Sequence, residues 1–204
     1  MTHTLNRRGL SEDRTHDEIV ILCMAQQKQK TQKQEALKEI TRTILKYKPD
    51  NIMSAPLGAN EEAIIAMSVG AGIITAVFNN NEDVRNVVAE IKSKKLGVSM
   101  VLSGLFEDVR GICAANNMQE HTYHISLGIF GRTDKLPDDK TMEITTQCGH
   151  ALISPHLVND IVKKIKKGKM TGAEGARLLI KPCVCGVGNP KRIETILDEM
   201  AKSE

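Results

Sequence analysis

The sequence predicts an α/β protein, an open, mostly parallel, doubly wound sheet of four or five strands followed by a C-terminal helical segment. Three observations carry that expectation. Short runs rich in Ile and Val, at 18–24, 73–78 and 98–103, are continuous rather than alternating, as in strands buried on both faces. Stretches with apolar residues at helical spacing separate them, the alternation expected of βαβ units with right-handed crossovers. After Phe130 no further strand pattern occurs.

In order, residues 1–16 are polar and read as an N-terminal arm, mobile unless a partner or the domain's own surface holds it. Residues 17–130 read as the sheet domain. Its first strand, 18–24, leads through a Gln/Lys-rich stretch to a helix over 35–47, with Leu37, Ile40, Ile44 and Leu45 on one face and Pro49 beyond its end. Residues 51–55 read as a second strand, and Pro56, Gly58 and Asn60 as a turn. Glu61 and Glu62 then open a helix running to about Val69, where acids suit the helix dipole. The third strand is 73–78. A helix over 82–95 has Val84, Val87, Val88 and Ile91 on one face and stops at Gly97. The fourth strand, 98–103, precedes a turn and helix over 104–117. Residues 121–130 alternate weakly and read as a fifth strand. A turn-rich linker over 131–140 leads into 140–204, where helical periods span 141–153, 156–167, 172–180 and 190–202.

Composition narrows the function. With 41% hydrophobic and 26% charged residues among 204, the chain can bury a sizeable core. Only five aromatic rings, two Tyr and three Phe, are present, so base stacking on single-stranded nucleic acid is disfavoured. The net charge of +3 is mild, and the lysines of 163–169 read as a solvated helix face. No apolar run reaches the roughly 18 residues of a membrane span. The polar start lacks the apolar core of a secretory signal. These features lead to the expectation of a cytoplasmic protein with reduced thiols, no membrane contact, and a protein partner or a second copy of itself as associate.

The chemistry concentrates in cysteine. Cys183-Val184-Cys185-Gly186 sits among Pro182, Gly188 and Pro190, where neither helix nor strand is expected and an ordered loop needs an organiser. Upstream, Cys148-Gly149-His150 adds a thiol and an imidazole. Together Cys148, His150, Cys183 and Cys185 make a four-ligand set for zinc or an iron–sulfur cluster. The single residue between Cys183 and Cys185 is tighter than in most zinc knuckles and cluster-binding runs. A reactive dithiol and a turn with two incidental thiols are the competing readings. His156 is a reserve ligand. The cluster form implies electron transfer or metalloenzyme cofactor assembly, and the zinc form a structural clip.

A rival reading makes the protein an enzyme or small-molecule binder. It would use the carboxyl edge of a parallel sheet, with Cys23 at the end of the first strand as reactive thiol. Cys113 reads as core. His121 and His124 would point to opposite faces of a strand, and Asp138 and Asp139 read as helix caps. No dinucleotide fingerprint, Walker loop or serine-nucleophile elbow is present.

The phrase Arg8-Gly9, followed by Asp17-Glu18-Ile19-Val20-Ile21-Leu22-Cys23-Met24, resembles the opening of the small proteins encoded with methyl-coenzyme M reductase in methanogens. The chain departs from that family afterwards. The resemblance implies a role in anaerobic metal-cofactor assembly or activation.

Overall fold

The strand Ile19–Met24 (β1) lies inside a sheet rather than at its edge. The computed structural model describes residues 7–10, 18–29 and 31–203, so most of the predicted N-terminal arm lies outside the described residues. The other strands are Asn51–Ile52 (β2), Ile73–Phe78 (β3) and Ser99–Ser103 (β4), in spatial order β2-β3-β1-β4. Every neighbouring pair is antiparallel, and Ile21 faces Ala76 of β3 on one side and Leu102 of β4 on the other. The mostly parallel, doubly wound sheet expected from the sequence is therefore wrong.

The error has a physical cause. β1 and β2 run in the same direction across a helix, as do β3 and β4, so each strand–helix–strand unit keeps its parallel sense. However, β3 is inserted between the first pair and β1 between the second. The units are split, and hydrogen-bonded neighbours come from different units. The continuous apolar strands misled for a related reason, because this antiparallel sheet is covered on both faces.

One cover comprises Gln34–Lys46 (α1), Glu61–Ala71 (α2), Asn81–Ser93 (α3) and Phe106–Ala115 (α4). Ile40, Ile44, Ile64, Val84, Val87, Val88 and Ile112 of these helices pack with Ile19, Ile21, Cys23, Ile74, Ala76 and Phe78 of the sheet. The second cover is the C-terminal region: Asp139–Thr145 (α5), Pro155–Lys166 (α6), Gly172–Ile180 (α7) and Pro190–Lys202 (α8). Its core, with Ile144, Ile161, Leu179, Ile193 and Leu197, meets Val20 and Val77 on the opposite face. Successive strand residues point to opposite faces, which is how β1 serves both layers.

Local sequence sets the helix ends. The Asn60 side chain accepts the Ala63 N–H at 2.9 Å and Asp138 accepts the Thr141 N–H at 2.9 Å, both as caps. Thr171 and Glu174 form a reciprocal capping box at α7. α5 stops at Thr145, short of the predicted end at 153, and the released chain turns to present Cys148. β2 stops after Ile52, and Ser54 adopts a left-handed backbone (φ 69°). Residues 121–130 form no strand. Among the described residues no helix is long and apolar enough to cross a membrane.

Candidate functional site

α7 ends at Ile180, and the chain folds into a loop fastened to the sheet face. Within the loop, the Cys183 N–H donates to Ile180 O at 2.7 Å and the Gly186 N–H to Cys183 O at 3.0 Å. The sheet side supplies three more bonds. The Ser54 N–H donates to Val184 O at 2.8 Å, Asn51 Nδ2 donates to Gly188 O at 2.9 Å, and Thr75 Oγ1 donates to Cys185 O. Gly186 lies directly on β2, where a Cβ would overlap the backbone of Ile52 and Met53, and its φ of 66° is left-handed.

The Cys148 segment is tied to the same loop. Buried Gln147 accepts the Asn189 N–H at 2.8 Å, while Asn189 caps α8 through Lys191 and Arg192 N–H groups. Asn189 Nδ2 also donates to Glu18 Oε2 at 2.6 Å. Glu18 is buried and ion-paired with buried Arg7, with Arg192 Nη1 at 3.5 Å. Arg7 Nη1 in turn donates to Val187 O at 3.2 Å, and Arg192 Nη2 to Arg8 O at 2.6 Å. The described part of the N-terminal arm is thus held by the domain's own surface, across both cysteine-bearing segments.

This framework gathers three thiols. Cys183 and Cys185 Sγ atoms are 3.6 Å apart, and Cys148 packs in the same hydrophobic cluster. Cys148 and Cys183 are buried, whereas Cys185 is half-buried.

Cys183 and Cys185 lie within hydrogen-bond reach of each other, and either sulfur can donate. The neighbouring Cys183 thiol, then burial, raise the Cys148 pKa. For Cys183 the neighbouring Cys148 thiol is the largest influence and favours the thiolate, but Cys185 and burial outweigh it, and its pKa is raised. Cys185 moves the other way, chiefly through its hydrogen bond with Cys183. Of the three thiols, Cys185 is therefore the most readily ionised.

The structure brings together three of the four predicted ligands. His150 is exposed. His156 is exposed at the start of α6. Among the described residues no group of three or more His, Cys, Asp or Glu side chains stands ready-spaced to hold a metal ion. Cys23 is fully buried among the first helical layer, and burial pushes its pKa up to about 12. The shared carboxyl edge invoked for it does not exist, since neighbouring strands run in opposite directions. His121 and His124 are exposed, and Asp138 is the cap expected of it.

Sequence reasoning missed the framework: Asn51, Thr75, Gln147, Asn189 and the Arg7–Glu18–Arg192 cluster. One signal was present, since Asn189-Pro190 before an apolar helical period is a start signature that fixes the loop's far end. Comparison with protein-family models, curated proteins and solved structures finds no match for this chain.

Proposed function

We propose that Cys148, Cys183 and Cys185 form a thiolate site for a thiophilic metal, zinc or an iron–sulfur cluster, in electron transfer or metalloenzyme cofactor assembly. The observation that carries this reading is the convergence of the thiols: Cys183 and Cys185 share a loop fastened to the sheet, and buried Cys148 packs in the same cluster. The 3.6 Å between Cys183 and Cys185 sulfurs also suits the reading. Two thiolates about 2.3 Å from one tetrahedral ion stand about 3.8 Å apart. Closure round the metal brings half-buried Cys185 and buried Cys148 onto one centre beside Cys183. Three protein ligands leave a fourth position for an outside donor, as a transfer or redox role requires.

The test is anaerobic purification of the full chain, with metal and acid-labile sulfide measured per chain alongside a visible spectrum. Bound metal that falls away in Cys183→Ser and Cys185→Ser variants is the expected result. Metal-free protein, or metal unchanged in both variants, rejects the proposal.

A second reading, thiol–disulfide exchange, is favoured by the lowered pKa and partial exposure of Cys185. The Cys185 thiolate attacks one sulfur of a disulfide and expels the other as a thiolate. Cys183, giving its proton to that leaving thiolate, then attacks Cys185 Sγ and releases the second. The pair ends as a disulfide and the substrate as two thiols. Metal-free protein that reduces a model disulfide with loss of two thiols selects this reading instead.

A further inference from the structure

Cys148 and Cys183 are 2% and 0% exposed, so no reagent from solvent reaches them unless part of the structure opens. The sheet side holds the cysteine loop through Asn51, Ser54 and Thr75. A second set of ties comes from residues 7–9, which belong to no helix and pair with no described strand. Arg7 Nη1 donates to Val187 O at 3.2 Å, two residues past Cys185. The Arg8 N–H donates to Thr146 Oγ1 at 2.9 Å, two residues before Cys148. Arg8 Nη2 also pairs with Asp139 of α5 at 2.9 Å, and Arg192 of α8 donates to Arg8 O. Gly9, with φ 70°, lies so close to α5 that a Cβ would overlap the Glu143 side chain. One short segment thus bridges both cysteine-bearing stretches.

Three features make this segment the part that gives way. Each of these Arg7 and Arg8 bonds involves a side chain, so they part singly rather than as a backbone ladder, and the Arg8–Asp139 pair is exposed and weak. The Arg7 side chain is buried, yet its Nε finds no acceptor among the described residues and regains water when the segment lifts. Release does not strand Glu18, which keeps Asn189 Nδ2 at 2.6 Å and Arg192 Nη1 at 3.5 Å. The loop stays seated on the sheet, while the Cys148 segment is left held against it by the Gln147–Asn189 bond and apolar packing.

We propose that residues 7–9 form a strap whose release opens buried Cys148 and Cys183 to solvent, gating access to the thiol site. The strap acts in the same way whether the thiols take a metal or exchange with a disulfide. The experiment is peptide-mapped alkylation of the metal-free, reduced full chain under folding conditions, with circular dichroism alongside. Every variant carries Cys185→Ser, so that the half-buried thiol does not compete. Cys23, buried in the other helical layer, reports global opening. Arg7→Ala loses a charged hydrogen bond and is expected to speed labelling of both Cys148 and Cys183 on the order of 10- to 100-fold, with Cys23 unchanged. Thr146→Val, a milder change that removes the Arg8 tie, is expected to speed both about two- to tenfold. Rates at Cys148 and Cys183 that do not move, or that rise only in step with Cys23 in both variants, overturn the proposal. So does a Thr146→Val effect confined to Cys148, since a strap couples the two segments.

Discussion

Replacing Gly186 by alanine tests whether the sheet holds the cysteine loop in place. The new Cβ meets the backbone of Ile52 and Met53, not the tip of a flexible side chain, so nothing nearby can move aside cheaply. The left-handed backbone costs a non-glycine residue about 1–2 kcal/mol, and overpacking adds about 1–3 kcal/mol. If the loop stays seated, the loss of stability is therefore about 2–5 kcal/mol. If the loop lifts instead, it gives up the Ser54–Val184 and Thr75–Cys185 hydrogen bonds, at about 1 kcal/mol each. In that case the Cys183–Cys185 spacing changes as well. Urea unfolding measures the first outcome and alkylation kinetics of Cys185 measure the second. A variant within about 0.5 kcal/mol of wild type, with unchanged Cys185 reactivity, refutes the reasoning.

Two further outcomes follow from the electrostatics. In the metal-free, reduced protein, Cys185 is alkylated first and Cys23 last, because Cys185 is half-buried with a lowered pKa while Cys23 is buried with a pKa pushed up to about 12. A lowered pKa means thiolate persists at lower pH, so the alkylation rate of Cys185 reaches half-maximum below the ordinary thiol value of about 8.5. A midpoint above that value in peptide-mapped labelling contradicts the effect assigned to the Cys183–Cys185 hydrogen bond. Glu18→Ala leaves buried Arg7 without its carboxylate and removes an acceptor from Asn189. The expected loss is about 3–5 kcal/mol in denaturant unfolding, and a loss under about 1 kcal/mol argues that the cluster is solvated.

How much was legible depended on the range of the signal. Helices with an apolar face, such as α1, α3 and α8, were readable because that periodicity is local. Strands β1, β3 and β4 were located for the same reason. Their pairing was not readable, because a crossover helix fixes the relative direction of two strands but not whether a third lies between them. Residues 121–130 alternate weakly and form no strand, because alternation alone supplies no backbone to pair with. For the site, the thiols were legible as residue types and His150 was not separable from them. An imidazole two residues beyond a cysteine reads as a ligand from spacing alone, whereas the backbone buries Cys148 and leaves His150 exposed.

The proposed thiolate centre differs in kind from a zinc knuckle. A zinc knuckle organises its own short loop, and its ligands can be judged from local spacing alone. Here the loop is fixed before any ligand arrives, by Asn51, Ser54 and Thr75 on the sheet side and by Gln147 from the segment before Cys148. The tight spacing of Cys183 and Cys185 is then no objection to a shared centre, because tertiary contacts do the positioning that a longer spacer would otherwise allow. The same contacts link the thiols to β2, β3 and the start of β1. The proposed centre therefore depends on the whole sandwich of helices and sheet, and a change at Glu18 or Gly186 is expected to be felt at the sulfur atoms.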